Sequence, residues 1–507
     1  MLFTSYIFFY IFLPVALIGY LGLARLSREA SMAWLLFVSV FFYGWWDIHY
    51  VPLLMGSIIF NYTSGILIAK SRNFRGTLLA TAIVANLILL FWYKYANFFA
   101  TSLSLLGSIE WQTMDIILPL GISFFTFTQI AFLVDVWKRT AKEFNFLHYA
   151  LFVTYFPHLI AGPILHHKEM MPQFKKAAPY RLNLNDITTG LLLFCIGLFK
   201  KIILADSIQS YVAPVFDAPL DASLTLDEAW AGALAYTFEL YFDFSGYSDM
   251  AVGLSRMFGI ILPLNFNSPY KANNIIEFWR RWHMTLSRFL RDYLYIPLGG
   301  SRKGASRRYL NLMTTMLLGG LWHGASWTFV VWGGLHGLYL VINHSWNKFC
   351  GIEGHHRTTP YGTALAVLTT FFAVVVAWVF FRAQNFEAAW RILSAMSGIQ
   401  GCSLPQGTTA ILSKTLGCTT NLHQLFSDGN SVWIWISLGF IVAWAIPNSQ
   451  KITEYFNSWL FQSQHSAIKQ NKHNLALFFT GILLATAVLL SAIGASRGTS
   501  EFIYFNF

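Results

Sequence analysis

Three histidines in the apolar stretch 317–344, LLGGLWHGASWTFVVWGGLHGLYLVINH, are well placed for chemistry: His323, His336 and His344. His323 stands out because it lies between a glycine pair and a run of small residues, where backbones and a ligand can approach closely. A neutral imidazole can accept a hydroxyl proton near pH 7, so His323 is a candidate general base. From the residues alone, His323 is equally well interpreted as a general base or as a buried histidine that is hydrogen-bonded for packing. His336 and His344 are weaker candidates, since either can face a cavity wall or the interface, and His336 is interpreted as part of a cavity wall.

A second group of chemically useful residues occupies 265–308, NFNSPYKANNIIEFWRRWHMTLSRFLRDYLYIPLGGSRKGASRR. Its apolar residues recur at helical spacing with arginines on the other faces, which predicts an amphipathic helix at the inner membrane interface, capped by Asn273 or Asn274. Such a helix is an anchor on anionic lipid or a binding surface for a phosphate-rich nucleotide. The predicted donor-binding residues are Trp279, Arg280, Arg281 and Trp282. His283 lies on the same predicted helix.

Carboxylates also occur within an apolar span, in ELYFDFSGYSDMAVGLSR at 239–256. Asp243 and Asp249 are six residues apart and therefore lie on different helix faces, which argues against a carboxylate dyad. We expect Asp249 to brace a cavity through an ion pair with an arginine of 280–291, and Tyr247 to line that cavity. An acidic residue at membrane depth is costly and suggests function.

Several other kinds of site are not indicated by the sequence. It contains no Walker A motif, no dinucleotide-binding glycine fingerprint, no GxSxG elbow and no HExxH pair. The four cysteines lack the spacing of a zinc site, and we predict no metal. Cys402 and Cys418 lie in a segment predicted to be outside the membrane, where a disulfide can form. The sequence does not decide between a disulfide and two free thiols.

The amino-acid composition shows whether these residues lie in a soluble domain or in a membrane. The 507-residue chain is 56% hydrophobic and only 11% charged, against about 25% charged in a soluble domain. Apolar stretches long enough to cross a bilayer recur from end to end. The sequence therefore predicts an all-α polytopic membrane protein, and its net charge of +11 reflects loop topology and gives no indication of nucleic acid.

Basic residues set the predicted topology. Ten spans are predicted, at 2–24, 32–46, 51–69, 77–99, 116–137, 187–213, 229–257, 363–382, 431–447 and 474–494. With the N-terminus outside, the inner loops contain 26 of the 34 lysines and arginines and the outer segments contain three. Both termini are therefore predicted outside, with the first helix uncleaved.

Two apolar stretches begin and end on the predicted inner side, at 147–165 and 309–345. Each is predicted to be a hairpin or a re-entrant element that lines a cavity, because irregular backbone at membrane depth needs protein or water around it. The glycine pairs at 319–320 and 333–334 are predicted to break the second stretch.

Three motifs together resemble the bacterial branch of the membrane-bound O-acyltransferases: YFDFSGYSDMAVGLSRMFGI, the 265–300 stretch and GGLWHGASWTFVVWGGLHG. That branch includes membrane subunits of alginate and peptidoglycan O-acetylation and the teichoic-acid D-alanylation acyltransferase. The resemblance implies a ring of tilted helices around a tunnel, with His323 as the hallmark catalytic histidine and His283 as the second. It covers nearly the whole chain as one acyltransferase domain (1–507), with a catalytic core at about 116–345.

The resemblance implies transfer of an acetyl group from cytoplasmic acetyl-CoA, a donor substrate, across a bacterial inner membrane for O-acetylation of an envelope polysaccharide. An outer acetyltransferase is the expected partner, besides membrane lipid. The alternatives are D-alanyl transfer from a carrier-protein thioester, a transporter of an acyl donor or lipid-linked sugar, and a structural scaffold. From its residues alone, the aromatic outer tail 495–507 is interpreted as an interfacial anchor. The tail also resembles a carboxy-terminal aromatic motif with a central tyrosine, and this resemblance makes Tyr504 a candidate acyl acceptor.

Overall fold

The structure is a computed structural model of the chain. It describes residues 1–105, 107, 113–141, 143–175, 183–351, 359–399, 401, 426, 431–461, 466–496 and 502–503, with backbone alone for 466–473. The helices of these residues are α1 (Ile7–Ala24), α2 (Arg28–Gly44), α3 (Ile48–Lys70), α4 (Arg75–Ser104), α5 (Ile122–Trp137), α6 (Phe146–Thr154), α7 (His167–Lys175), α8 (Leu184–Phe216), α9 (Leu226–Met257), α10 (Ile275–Arg281), α11 (Met284–Leu290), α12 (Ala305–His323), α13 (Trp327–Phe349), α14 (Pro360–Arg382), α15 (Phe386–Met396), α16 (Ser431–Ala445), α17 (Ser449–Phe461) and α18 (Ser466–Ser496). The predicted all-α polytopic class is confirmed.

Among the described residues, six of the ten predicted spans are helices long and apolar enough to cross a membrane: α1, α3, α4, α8, α14 and the part Asn474–Ser496 of α18. Helices α16 and α17 make a seventh span if this pair, bent by 58°, is one crossing. The predicted spans 32–46 and 116–137 correspond to the shorter helices α2 and α5, of 17 and 16 residues. The span predicted at 229–257 lies within the 32-residue helix α9.

Two compact units divide the chain. The first contains Met1–Phe199, Gly246–Asn265 and Ser449–Phe507, and the second contains Lys200–Ser245 and Phe266–Asn448. The single acyltransferase domain expected from the sequence, with its core at 116–345, stays a prediction. The four histidines named in the sequence analysis, His283, His323, His336 and His344, all belong to the second unit.

In the first unit, buried amides join helices α3, α4 and α5. The side-chain amides of Asn61 and Asn86 donate to each other's oxygens at 3.0 and 2.7 Å, and Gln129 donates to the Ser57 hydroxyl at 2.9 Å. Buried polar groups need such partners, above all in hydrocarbon. This network fixes the register of three helices through side chains.

The predicted break within 147–165 is present. Helix α6 covers only nine residues and ends at Thr154. Buried irregular chain follows from Tyr155 until α7 begins at His167. The imidazole of His158 meets the carbonyl of Phe152 at 2.9 Å, which satisfies a polar group inside this element. The stretch is therefore not a single helical crossing.

In the second unit, residues 309–345 form a helical hairpin of α12 and α13. The prediction that glycine pairs break this stretch is wrong, because both pairs lie inside helices and the chain turns at Gly324–Ser326. A Cβ on Gly320 would overlap the carbonyl oxygen of Phe329, and one on Gly333 would overlap that of Met316. The glycines allow two helix backbones to touch.

The stretch 265–308 also departs from its prediction of one amphipathic helix. The chain forms two short helices, α10 and α11, separated at Trp282 and His283. His283 has a positive φ of 39°, which a right-handed helix does not accommodate. The predicted N-cap is confirmed, since the Asn274 side chain accepts a hydrogen bond from the Glu277 amide at 2.8 Å.

Candidate active site

His323 is the last residue of α12 and is 3% exposed. The chain turns directly after it, and the Ser326 hydroxyl accepts a hydrogen bond from the Thr328 amide at the start of α13. A Cβ on Gly324 would overlap the Phe329 ring, so the residue after His323 has to be small. The hairpin turn thus presents the imidazole at the end of a helix.

Aromatic rings surround the His323 imidazole. Its centroid lies 5.0 Å from those of Trp322 and Trp332 and 5.2 Å from that of Phe381. All three pairs are edge-on, the arrangement that aromatic quadrupoles favour. These rings fix the orientation of the imidazole and limit the access of water to it.

His283 lies in the same unit and is fully buried. Its left-handed backbone directs the side chain away from the helical path of α10 and α11. The imidazole packs edge-on against Phe244 at 4.7 Å and lies 6.5 Å from the Trp322 ring. Both predicted catalytic histidines therefore contact Trp322, and the structure brings them together around one indole.

His336 lies on α13, nine residues after the first residue of the helix, and is fully buried. Its ring centroid is 4.9 Å from Trp332 and 5.1 Å from Trp279. Among the described residues, neither ring nitrogen of His336 meets a hydrogen-bond partner. A buried polar group in that state calls for water or a ligand. The position of His336 in a cavity wall stays a prediction.

The four predicted donor-binding residues separate into two pairs. Trp279 and Trp282 are buried in the aromatic core, where Trp282 packs against Trp378 at 5.0 Å. Arg280 is exposed, and Arg281 is half-buried in an ion pair with Glu277 at 2.5 Å. Their role in donor binding stays a prediction, and only the arginines present polar groups at the surface.

A buried charge cluster that the sequence analysis did not assign lies elsewhere in the second unit. The Lys201 ammonium contacts carboxylate oxygens of Asp243 at 2.6 Å and Asp206 at 2.9 Å. Lys201 and Asp243 are 3% and 2% exposed, and Glu239 is buried one helical turn before Asp243. The signal was a lysine within the apolar span 187–213, which needs a carboxylate partner at membrane depth.

The first unit contains the remaining predicted residues. Asp249 accepts a hydrogen bond from the Ser449 hydroxyl at 2.5 Å and is approached by the Gln450 amide at 3.4 Å. Its ion pair with an arginine stays a prediction. Tyr247 stacks on Phe3 at 4.9 Å and meets Phe502 edge-on at 4.4 Å.

After Ser496 the tail is described only at Phe502 and Ile503, and Phe502 is 1% exposed. Tyr504 lies outside the described residues, as do Cys402 and Cys418. Within the described ranges, no group of three or more His, Cys, Asp or Glu side chains has the arrangement of a metal site.

Comparisons with known proteins identify the class to which this fold and site belong. The profile of MBOAT, the membrane-bound O-acyltransferase family, matches residues 138–381. The chain is 40% identical to the peptidoglycan O-acetyltransferase of Helicobacter pylori, over 90% of this chain and 97% of the relative. The chain therefore belongs to the membrane-bound O-acyltransferase family, as the motifs predicted.

Two further relatives refine the assignment. The probable alginate O-acetylase AlgI of Pseudomonas aeruginosa is 41% identical over 78% of this chain and 75% of its own. The teichoic acid D-alanyltransferase of Bacillus subtilis is 26% identical over 76% of this chain and 98% of its own. The protein is an O-acetyltransferase of the family, which confirms the enzyme class expected from the sequence.

Proposed function

We propose that this enzyme takes an acetyl group from acetyl-CoA on the cytoplasmic side of the membrane and delivers it outside for O-acetylation of a cell-envelope polysaccharide. The observation that carries the proposal is the pair of buried histidines, His283 and His323, packed around Trp322 in a chain with acetyl-transferring relatives at about 40% identity. A buried imidazole beside a helix turn is suited to proton transfer during acyl transfer.

His323 acts as general base in the proposed reaction. Its neutral imidazole takes the proton of an acceptor hydroxyl while that oxygen attacks the thioester carbonyl. The tetrahedral intermediate then collapses, the C–S bond breaks, and the imidazolium returns the proton to the CoA thiolate. His283 orients the acceptor or the carbonyl group. The Trp332 and Phe381 rings exclude water, which would otherwise hydrolyse the thioester.

The acceptor of the first transfer in this proposal is the Tyr504 hydroxyl. The phenol oxygen forms the new ester bond and its proton passes to His323, so CoA stays on the cytoplasmic side. The acyl-tyrosine then gives the acetyl group to a partner acetyltransferase outside. The buried anchor at Phe502, two residues before Tyr504, supports a held tail.

We favour peptidoglycan as the polysaccharide, since similarity to the peptidoglycan enzyme extends over 90% of this chain and similarity to the alginate enzyme over 78%. D-Alanyl transfer is less well supported, because its relatives are only 26–28% identical. Transport and scaffold roles have no support from the relatives.

The amount of acetate bound to envelope glycans in cells tests the proposal. His323→Ala is expected to retain its amount in the membrane and to lose glycan O-acetylation, since general base catalysis contributes about 10²–10⁴ in rate. The purified wild-type protein is expected to release free CoA from acetyl-CoA in a His323-dependent manner. Normal envelope acetate in His323→Ala would show that this imidazole is not catalytic.

Tyr504→Phe tests the relay separately. The substitution keeps the ring and removes only the hydroxyl, so it is expected to abolish acetylation as fully as His323→Ala. Truncation before Phe502 is expected to do the same. Full acetylation by Tyr504→Phe would exclude the relay and leave the tail as an anchor or partner-docking element.

A further inference from the structure

A carboxyl group without a cation of its own lies beside the Lys201 ion pairs, within the second unit. Glu239 is 5% exposed and lies four residues before Asp243 on α9, so their side chains lie on one face of the helix. Among the described residues, no group forms a hydrogen bond or an ion pair with the Glu239 carboxyl. A buried carboxylate in that state is costly, and such a group binds a proton or another cation instead.

The Lys201 ammonium is one candidate for this cation, but it is already shared. It contacts carboxylate oxygens of Asp243 at 2.6 Å and Asp206 at 2.9 Å. The side chains of Lys201 and Asp243 are 3% and 2% exposed, so water screens their attraction little. Three carboxyl groups, those of Asp206, Asp243 and Glu239, therefore lie around one ammonium, and the Glu239 carboxyl is the one that it does not contact.

The other helices around this part of α9 do not supply the cation either. Of the described residues, four charged groups act electrostatically on Glu239: Asp243 on its own helix, Lys201 and Asp206 on α8, and Arg382 on α14. The Arg382 guanidinium is engaged with Asp217 at 2.8 Å. Helix α16 also packs against α9, where a Cβ on Gly439 would lie 2.8 Å from the Phe238 ring, but its sequence contains no ionisable side chain.

We propose that Glu239 is a proton-binding site, whose carboxyl group carries its proton inside the helices of the second unit. The proton neutralises the one carboxyl group that the ion pairs of Lys201 leave without a cation. A metal ion is the alternative cation, but in the part of the chain that the structure describes no three His, Cys, Asp or Glu side chains have the arrangement of a metal site. This inference is independent of the proposed acetyl transfer.

Loss of this proton has a direct consequence for the neighbouring ion pairs. A deprotonated Glu239 places a second negative charge one helical turn from Asp243, and like charges at this spacing repel each other. Both carboxylates then compete for the Lys201 ammonium. The contribution of Glu239 to stability is therefore present while the proton is bound and is lost as rising pH removes it.

Thermal unfolding of the purified full-length protein in detergent, at a series of pH values, tests the site. Glutamine has the shape of a protonated glutamic acid and no charge, so Glu239→Gln is expected to unfold at the wild-type temperature at neutral and acid pH. At alkaline pH the wild type is expected to unfold about 2–4 °C below Glu239→Gln. Asp243→Asn is the matched control, since Asp243 is as buried on the same helix but pairs with Lys201. It is expected to lower the unfolding temperature at neutral pH.

Labelling of the wild-type protein with dicyclohexylcarbodiimide, an apolar reagent that adds to protonated carboxyl groups, provides a second measurement that needs no variant. The carboxyl oxygen bonds to the central carbon of the carbodiimide and the acid proton moves to a nitrogen, so no group leaves, and the adduct rearranges to a stable N-acylurea. Mass spectrometry of peptides is expected to find about tenfold more adduct on Glu239 than on Asp243, because only the unpaired carboxyl is protonated. Labelling of Glu239 is expected to fall as the pH rises.

Three results would overturn the proposal. The first is a Glu239→Gln variant that unfolds as early as Asp243→Asn at neutral pH, which would show that Glu239 is ionised. The second is equal labelling of Glu239 and Asp243, or no labelling of Glu239 at acid pH. The third is protection of Glu239 from the carbodiimide by sodium chloride but not by choline chloride, which would make this carboxyl a ligand of a metal cation.

Discussion

Gly320 of α12 and Gly333 of α13 meet backbone to backbone. A Cβ added to Gly320 would lie 3.1 Å from the Cα of Gly333, and one added to Gly333 would lie 3.2 Å from the Cα of Gly320. No side chain separates the two helices at this level, which is three residues before His323. The position of the catalytic candidate therefore depends on two residues that have no side chain.

Gly333→Ala is expected to inactivate the enzyme, and Gly334→Ala is expected to be tolerated. The first Cβ would overlap the Met316 carbonyl oxygen, whereas the second would meet only the Leu317 side chain at 3.5 Å, an ordinary contact. Overpacking against backbone costs about 1–3 kcal/mol and displaces the hairpin. Thermal stability in detergent and envelope acetate are the measurements.

The adjacent glycines make this comparison internally controlled, because helix propensity changes equally at both positions. Alanine is the better helix former, so Gly334→Ala is expected to be neutral or slightly stabilising. Equal tolerance of both substitutions would show that the close backbone contact is not needed for activity.

His283→Asn separates the backbone role of this residue from the role of its imidazole. His283 has φ 39° and ψ 54°, a left-handed conformation that asparagine tolerates better than most residues. We expect His283→Asn to accumulate in the membrane like the wild type and to lose acetylation by about tenfold or more. Acetylation at the wild-type rate would show that the reaction does not need the His283 imidazole.

His283→Gly provides the control for the conformation, since glycine adopts positive φ at no steric cost. It is expected to fold and to be as inactive as His283→Asn. If the asparagine variant is active and the glycine variant is not, side-chain packing rather than imidazole chemistry is needed at this position.

Features of this site that depend on residues close together in the chain are predictable from the sequence. Features that depend on residues far apart in the chain are not. The cap at Asn274 follows from residues three positions apart, and the membrane setting follows from composition. The break at His283 has no glycine or proline signal, because buried packing against Phe244 imposes it. The glycine pairs were correctly singled out but wrongly interpreted, since small residues serve both turns and close helix contacts. Only the folded chain shows which surface each glycine meets.

The sequence also did not reveal the ion pairs of Lys201, because its partner Asp243 lies on another helix. These ion pairs give a prediction about stability. Lys201→Met is expected to lower the stability of the protein by about 3–5 kcal/mol, because it leaves the buried Asp243 carboxylate without its cation. Asp206→Asn is expected to cost less, since Asp206 is 18% exposed and Lys201 keeps its contact with Asp243. Thermal unfolding of purified variants measures both.

A double variant tests the origin of that loss. Lys201→Met combined with Asp243→Asn removes both charges of the closer pair and is expected to be more stable than Lys201→Met alone. If the two substitutions destabilise additively, the ion pair contributes nothing beyond the packing of each side chain.

Phe502→Ala is expected to release the carboxy-terminal tail and to reduce envelope acetylation. Phe502 is 1% exposed and packs edge-on against Tyr247 at 4.4 Å, and loss of a buried phenylalanine ring costs about 3–5 kcal/mol. Limited proteolysis is expected to remove the tail of this variant faster than that of the wild type. Phe502→Leu, which keeps an apolar side chain, is the control and is expected to retain most of the activity.

Tyr504→Phe is expected to keep the wild-type proteolysis pattern and still lose acetylation, because the anchor remains and only the acceptor hydroxyl is gone. A Phe502→Ala variant with a protease-sensitive tail and full acetylation would show that the reaction does not need the tail in place.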